Sequence, residues 1–143
     1  MLNHDQICQL IPHADDMCLL DQVKSWDDKK IICTSMTHTK ADNPLRNEDG
    51  LPMVSLLEYG AQAMAVHGCL LSNKDDHVIE EGYLAALRDV KIADGSLSDI
   101  TSELEIEAEQ VFSDAGNMIY TLRIYTNTIM LASGRATVIA RFG

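Results

Sequence analysis

One long apolar segment, residues 51–71, determines how much of the remaining chain must be built around it. From about Met53 to Leu71 it has no proline and is rich in Ala, Leu and Met, which favour helix, while Pro52 suits a first helical turn. A helix of about 19 residues is about 28 Å long. Because this helix is apolar nearly all round, it must be covered on most sides. We expect a sheet wrapped around it, or a partner subunit, to cover it.

The same segment is not expected to span a membrane. Glu58, Gln62 and His67 interrupt it, and a carboxylate at the centre of a span costs roughly 2.5 to 3.5 kcal/mol. The N-terminal sequence MLNHDQICQLIPHADD has acids and a proline where an export signal needs a basic start and an apolar run. We therefore expect a buried helix in a cytoplasmic protein.

Strand-like sequences stand on both sides of this helix. Before it, a short helical stretch DQICQLI precedes MCLLDQV and KKIICTSMTH, which flank SWDDKK as a strand, a turn and a strand. After it come GYLAALRDVKIA, SELEIEAEQVF, MIYTLRIYT and IMLASGRATVIARF, with SDAGN and NT as turns. In SELEIEAEQVF, acids alternate with apolar residues, which is typical of a half-exposed antiparallel strand. The order predicts a single α+β domain, residues 1–143, with one central helix against one antiparallel sheet.

Charge and cysteine usage exclude several functions. The 22 acidic and 11 basic residues give a formal net charge of −11, which repels phosphate backbones and argues against a nucleic-acid partner. The four cysteines form no CxxC pair, and the five histidines form no HxxxH or HExxH motif. We therefore expect no metal and no cofactor. The cysteines, Cys8, Cys18, Cys33 and Cys69, are expected to be free thiols that pack as small apolar residues.

Two stretches carry a resemblance to a known family. IPHADDMCLLDQV, residues 11–23, resembles the opening LPHRxPxLLVDxV of the β-hydroxyacyl-(acyl carrier protein) dehydratases, and LPMVSLLEYGAQAMAVHG, residues 51–68, is similar to their helix motif xPGVLxxEAxAQxxG. GYLAALRDVKI stands where that family has the strand xxLxxxxxVxF. The resemblance implies the hotdog fold, in which a curved antiparallel sheet wraps around one long central helix and two subunits pair. It also implies dehydration of a 3-hydroxyacyl thioester, on acyl carrier protein or coenzyme A, in fatty-acid or polyene-type synthesis.

In that family an acid on the helix works with a histidine from a loop of the other subunit. The resemblance places Glu58 at the position of the acid, Gln62 at the following glutamine, and the backbone N–H groups near Met53 at the thioester-oxygen site. Positions i and i+4 share a helix face, so Gln62 is expected to hydrogen-bond Glu58, with Ser55 on the same stripe. Loss of water disfavours the charged form of a carboxyl, which suits proton transfer near neutral pH. The alternative is a purely structural polar cluster.

The chain departs from the family at the loop histidine, which belongs to a GHFPG segment absent from this sequence. An ungapped count places Pro44 there, beside Asn43, and neither can take a proton. His13 matches a histidine of the opening motif and is our preferred candidate for a catalytic role. His38 is the second candidate for that role. The alternative for His38 is an exposed residue at the end of a strand. His67 lies about 180° around the helix from the acid, so we expect a packing or interface role.

Three functions stay open. The chain is an active dehydratase using Glu58 and a second residue; or it is a catalytically impaired hotdog subunit that forms a heterodimer with an active partner instead of a homodimer or higher oligomer. The third option is an acyl thioesterase in which Asn43 and Glu58 place a water. An acidic carrier protein or the phosphates of coenzyme A would need a local group of bases. The candidates are Arg46, Arg88, Lys91 and Arg135.

Overall fold

The computed structural model describes residues 1–11, 17–74 and 79–142 of the chain. Three short 3₁₀ turns, at Thr37–Thr39, Met53–Ser55 and Leu97–Asp99, accompany the helices and strands. In chain order, those helices and strands are β1 (Leu2–Asn3), α1 (His4–Leu10), β2 (Gln22–Trp26), β3 (Lys30–Ser35), α2 (Leu56–Lys74), β4 (Ile79–Ile92), β5 (Leu104–Asp114), β6 (Asn117–Thr126) and β7 (Ile129–Phe142).

All seven strands form one antiparallel sheet in the order β1-β2-β3-β5-β6-β7-β4. The long helix α2 packs against β3, β4, β5 and β6. The predicted α+β hotdog layout of two strands, one long helix and four strands is therefore confirmed. The short strand β1 was not predicted, because two residues are too few to show a period.

The central helix is covered as its composition requires. Leu56, Tyr59, Ala63 and Val66 are fully buried, at the i, i+3, i+7 and i+10 spacing of one helix face. Gly60 lies so close to the sheet that a Cβ added there would stand 2.9 Å from a methyl carbon of Leu122. None of the described helices is long and apolar enough to cross a membrane.

The start of the helix differs from its prediction. We expected the helix from about Met53, but the first turn, Met53–Ser55, is 3₁₀, and the α-helix runs from Leu56 to Lys74. The turn begins directly after Pro52, which forms an isolated β-bridge with Ser96. A tight 3₁₀ turn is a common way for a helix to begin.

The strand with alternating acids behaves as predicted. The apolar residues Leu104, Ile106 and Ala108 are fully buried, so the acids between them face away from α2. Acids of this strand form ion pairs with cations on β2, β3 and β6. Ion pairs join Glu105 to Lys24 at 3.3 Å, Glu107 to Lys30 at 3.6 Å, and Arg123 to Glu107 and Glu109 at 2.8 and 3.2 Å.

Both predicted hairpin turns are two-residue turns. Ala115 and Gly116 join β5 to β6, and Asn127 and Thr128 join β6 to β7. All four residues have positive φ, between 47° and 88°. Two consecutive residues of positive φ match the twist of antiparallel strands, which is why Gly and Asn are favoured in such turns.

The cysteine prediction is wrong for two of the four residues. Cys8, on α1, and Cys18 form a disulfide across a sequence separation of 10 residues, with their Cα atoms 5.7 Å apart. Nothing in the spacing indicates this pair, because it depends on α1 lying beside the segment that leads into β2. Cys33 and Cys69 are free thiols, and burial raises the pKa of Cys33 to about 12.

Candidate active site

The predicted hydrogen bond between the acid and the glutamine is present. Glu58 lies in the first turn of α2 and is half-buried. Gln62, one helical turn later, is fully buried, and its Nε2 donates to Glu58 Oε1 at 3.1 Å. The carboxyl is therefore held on one side by an amide that water does not reach, while Glu58 itself stays partly accessible.

The partners that orient Gln62 come from the other family-like segment. Gln62 Oε1 accepts a hydrogen bond from the backbone N–H of Leu19 at 2.8 Å, and Nε2 donates to the backbone oxygen of Met17 at 2.6 Å. An N–H can only donate and a carbonyl can only accept. These two contacts therefore fix which end of the amide is oxygen, and they direct an N–H toward Glu58. Sequence reasoning did not find these residues, because backbone groups leave no side-chain signature.

Two of the three residues in the 3₁₀ turn that begins the helix are buried. Met53 and Ser55 are 5% and 8% exposed, and the Ser55 N–H donates to the oxygen of Pro52 at 3.0 Å. The oxygen of Leu51 accepts from Ser96 Oγ at 3.0 Å, which fixes the approach to the turn. The first N–H groups of a helix have no acceptor one turn earlier within it. Binding of a thioester oxygen near Met53, with Ser55 close by, stays a prediction.

The Asn43 side chain forms hydrogen bonds inside the protein. It is buried, and its Nδ2 donates to the oxygen of Thr37 at 3.0 Å and to Tyr59 Oη at 3.1 Å. Its Oδ1 accepts from the Leu45 N–H at 2.9 Å. The Thr37 hydroxyl lies 2.8 Å from Tyr59 Oη. Asn43 therefore joins the loop before the helix to α2 through Tyr59, and a role in binding substrate stays a prediction.

The candidate histidines have different outcomes. His13 lies outside the described residues, so its catalytic role stays a prediction. His38 lies in the Thr37–Thr39 turn and is fully buried, so the exposed position considered for it is wrong. Among the described residues, neither of its ring nitrogens makes a hydrogen bond of good geometry. Burial lowers the pKa of His38, although backbone groups of Ser102 and Ile100 favour its charged form.

His67 packs inside the protein, as predicted. Its Nε2 lies 2.8 Å from the backbone oxygen of Asp27, and its Nδ1 lies 2.7 Å from Tyr120 Oη. Because a carbonyl oxygen only accepts, Nε2 carries the proton, and Nδ1 accepts from the tyrosine hydroxyl in the neutral ring. Burial lowers the pKa of His67. The residue joins α2 to β6 and to the turn between β2 and β3.

Three of the four basic candidates are brought together. Arg88, on β4, and Arg135, on β7, are register partners, and Lys91 pairs with Ser133 farther along the same two strands. All three bases are exposed. The Arg46 guanidinium instead binds the loop before the helix. Its Nε and Nη2 donate hydrogen bonds to the backbone oxygens of Lys40 and His38 at 2.7 and 3.0 Å. We call Arg88, Lys91 and Arg135 the basic strip.

One described group combines potential metal-binding atoms. His4, Cys8 and Cys18 have ring-nitrogen and sulfur atoms within 4.8 Å of one another. The two sulfurs are bonded to each other, so this group is a disulfide beside a histidine.

Comparison with solved structures supports the fold. The chain superposes with a TM-score of 0.84 on "The Dehydratase Heterocomplex ApeI:P from Xenorhabdus doucetiae", with 24% identity over 99% of this chain and 92% of that one. A mutant thioesterase from Pseudomonas aeruginosa gives 0.69, with 9% identity over 100% and 96%. A hypothetical thioesterase from Streptococcus pneumoniae, solved with coenzyme A, gives 0.62, with 14% identity over 85% of each chain. At these identities the likeness shows the hotdog fold.

Comparison of sequences shows the family. None of the curated proteins compared with this chain matches it. The family model described as ApeP-like, ApeP dehydratase, matches residues 5–141. That range includes the opening motif, the helix with Glu58 and Gln62, strands β2 to β6, and β7 up to residue 141. The chain therefore belongs to the ApeP-like dehydratase family.

Proposed function

We propose that this chain is the acid-bearing subunit of a 3-hydroxyacyl thioester dehydratase whose histidine comes from a second hotdog protein. The observation that most supports this proposal is the fixed orientation of the Gln62 side-chain amide. Its oxygen accepts a hydrogen bond from the Leu19 N–H, and its nitrogen donates one to Glu58. Membership of a dehydratase family supports the reaction. A solved relative of the same fold is described as a dehydratase heterocomplex, which supports the second chain.

The reaction needs two proton transfers. A base removes a proton from C2 of the acyl group, and the electron pair forms the C2–C3 double bond. The hydroxyl on C3 leaves as water after it receives a proton from an acid. Glu58 is assigned to the acid, because it is half-buried and held in one orientation. An acid and a base placed in this way each contribute roughly 10² to 10⁴ in rate.

The described part of this chain offers no suitable base in the loop before the helix. The Asn43 amide is occupied and does not titrate. His38 is fully enclosed, so a substrate does not reach it in this subunit. His13 remains as an alternative base from the opening segment. These observations favour a histidine from a partner over a complete pair within one chain.

The sheet has an edge suited to such a partner. Strand β4 stands at one end of the strand order, and Leu84, Leu87 and Val90 on it are 45%, 37% and 38% exposed. Unpaired backbone groups at a sheet edge, together with apolar side chains, are suited to pairing with another strand. We assign this edge and its apolar face to the second hotdog chain, while Arg88 and Lys91 lie on the opposite face of β4. Assembly as a homodimer is the alternative.

The basic strip is assigned to the carrier of the acyl group. The chain as a whole is acidic, so an acidic carrier protein or the phosphates of coenzyme A need a local positive region. Arg88 and Arg135 lie directly opposite each other on two strands, with Lys91 near them. We place the protein in the cytoplasm, in fatty-acid or polyene-type synthesis.

The thioesterase alternative has less support. It requires Asn43 to place a water beside Glu58, but the Asn43 side chain already contacts Thr37, Tyr59 and Leu45. The thioesterases among the solved structures share 9% and 14% identity with this chain. Such low identities support only a shared fold.

Activity with and without a partner tests the proposal. The purified chain is given a 3-hydroxyacyl thioester, alone and mixed with a hotdog dehydratase that contains the GHFPG histidine, and formation of the enoyl thioester and free thiol is followed. We expect enoyl product only from the mixture. Glu58→Gln in this chain should lower kcat by about 10² or more. The matched control is Glu103→Gln, which removes the same charge from an exposed position.

Three results would refute parts of this assignment. Full activity of Glu58→Gln in the mixture removes Glu58 from the chemistry. Dehydration by this chain alone, abolished by His13→Ala, replaces the partner's histidine with His13. Release of free thiol without enoyl product favours the thioesterase.

A further inference from the structure

A disulfide and a histidine form a cluster beside the segment that holds Gln62. The His4 ring lies on α1 one helical turn before Cys8, and its Nε2 is 3.5 Å from Cys8 Sγ. Cys8 is bonded to Cys18. Cys18 stands between Met17 and Leu19, the two residues whose backbone groups bind the Gln62 amide.

The histidine is oriented to serve as a proton acceptor for the sulfur. His4 Nδ1 lies 2.7 Å from the backbone oxygen of Leu20. Because that oxygen only accepts, Nδ1 carries the ring proton, and the lone pair of the neutral ring is on Nε2, toward Cys8. The Asp21 carboxylate stands 3.8 Å from Nδ1, on the side of the ring away from Cys8.

The two cysteines differ in solvent exposure, as the attacking and the resolving cysteine of a thiol–disulfide exchange do. Cys8 is half-buried, whereas Cys18 is 5% exposed. Reactive cysteines are accessible and lie near a group that favours the thiolate, and a second thiol nearby resolves the mixed disulfide. The other cysteines lack this setting, because burial raises the pKa of both Cys33 and Cys69.

We propose that Cys8 and Cys18 form a reversible thiol–disulfide pair, with His4 as the base, and that its oxidation state controls how firmly residues 17–19 hold Gln62. The oxidant is a low-molecular-weight disulfide, and the reductant is the corresponding thiol. Any effect of this pair on catalysis, through the Gln62 amide that contacts Glu58, rests on the proposed dehydratase function. The exchange chemistry itself does not. The disulfide ties residue 18 to α1, and reduction releases that tie.

The exchange proceeds in two balanced steps. The Cys8 thiol gives its proton to His4 Nε2, and the thiolate attacks one sulfur of the oxidant. The oxidant's S–S bond breaks, and its first half leaves as a thiol with the proton from His4. Cys18 then attacks Cys8 Sγ, the mixed disulfide breaks, and the second half leaves as a thiol with the proton from Cys18. Two protein thiols are oxidised, and one disulfide is reduced to two thiols.

The first test measures the exchange on the full chain. Reduced protein is placed in mixtures of reduced and oxidised glutathione, and alkylation with mass spectrometry counts the free thiols. We expect Cys8 and Cys18 to be lost together, while Cys33 and Cys69 stay alkylatable once the protein is unfolded. His4→Gln should slow oxidation by about tenfold, because a carboxamide cannot take the thiol proton. Cys69→Ser, the matched control, should leave the rate unchanged.

The second test measures the connection to Gln62. Hydrogen exchange of the Leu19 N–H, which binds Gln62 Oε1, is compared in the oxidised and the reduced protein. We expect exchange to be several-fold faster after reduction, because local opening becomes easier when the tie to α1 is broken. The Cys8→Ser variant should behave as the reduced protein does.

Four outcomes would overturn the proposal. They are oxidation of Cys33 or Cys69 in preference to the pair; an unchanged rate in His4→Gln; equal Leu19 exchange in both redox states; and stoichiometric binding of Zn²⁺ by the reduced protein that blocks oxidation by glutathione. Dehydratase activity enters none of these measurements, so a failure of the proposed function and a failure of this proposal are distinguished.

Discussion

The side-chain oxygen of Gln62 lies 2.8 Å from the backbone nitrogen of Leu19, a residue 43 positions earlier in the chain. This contact joins the opening segment to the central helix. It makes the two family-like motifs one structural unit, because the segment before β2 orients the glutamine and the glutamine orients Glu58. The acid's position therefore depends on residues that have no chemistry of their own.

Replacing Gln62 by alanine is expected to lower the free energy of unfolding by about 2 to 4 kcal/mol, because the Leu19 N–H and the Met17 oxygen lose their buried partner. Urea denaturation measures the change. Gln9→Ala, at an exposed position, is the control and should change stability by less than about 0.5 kcal/mol. Equal stability of the two variants would show that the Gln62 contacts are not energetically coupled to the fold.

Removing the Tyr59 hydroxyl tests the link between the loop and α2. Tyr59→Phe is expected to cost about 1 to 3 kcal/mol, because Thr37 and Asn43 both lose a buried partner. Thermal unfolding and denaturant titration measure the loss. Tyr125→Phe on β6, which is only half-buried, is the matched control. A smaller loss in Tyr59→Phe than in the control would contradict the assigned network.

Stability is expected to fall in mildly acidic solution because of His67. Burial lowers its pKa from the ordinary value of 6.5, so below that pH the unfolded chain binds a proton that the folded protein takes up less readily. The contribution of His67 to the free energy of unfolding is therefore fully present above pH 6.5, and it is lost as the pH falls toward the folded pKa. His38, whose pKa is also lowered by burial, adds to the decrease.

Two variants separate the titration of His67 from its packing. His67→Gln should reduce the slope of stability against pH between about pH 7 and 5, because it removes one titrating group. Tyr120→Phe removes a hydrogen bond that the neutral His67 ring accepts but keeps the titrating group, so it should lower stability most above pH 6.5 and reduce the slope by less than His67→Gln does. An unchanged slope in His67→Gln would mean that another group causes the acid sensitivity.

Reduction of the Cys8–Cys18 disulfide is expected to lower the free energy of unfolding by about 2 to 3 kcal/mol, from the unfolded-chain entropy of a loop with a sequence separation of 10. Denaturant titration with and without a reducing agent measures it. Cys8→Ser should match the reduced wild type and respond no further to reduction. A loss of the same size in Cys8→Ser on reduction would place the effect elsewhere.

The basic strip is expected to affect carrier binding and not the chemical step. Arg88→Ser and Arg135→Ser should each raise KM for a carrier-bound substrate and leave kcat unchanged, with a smaller effect at high salt. Lys29→Ser, which removes one positive charge from the exposed turn between β2 and β3, is the control. An equal KM change in all three variants would indicate a general effect of net charge.

The sequence by itself determined the elements and the spacing within them. The apolar run around Glu58 and Gln62, the alternation in β5, and the Ala115–Gly116 turn are patterns of neighbouring residues, and a helix or a strand turns such a period directly into a face. For that reason the fold, the central helix and the Glu58–Gln62 hydrogen bond could be predicted. The bounds of the elements were predicted less well: a 3₁₀ turn precedes the α-helix of α2, the strand expected at residues 17–23 is β2 at Gln22–Trp26, and β1 was not predicted.

The tertiary structure alone decided which distant residues meet. The contacts of Gln62 with Leu19, the Cys8–Cys18 bond, the enclosure of His38 and the opposition of Arg88 and Arg135 join residues from separate elements. No local period encodes these pairs, because they depend on how the sheet curves around α2 and where α1 lies against it. A backbone N–H that orients a side chain has no residue type of its own, so only the folded chain reveals it.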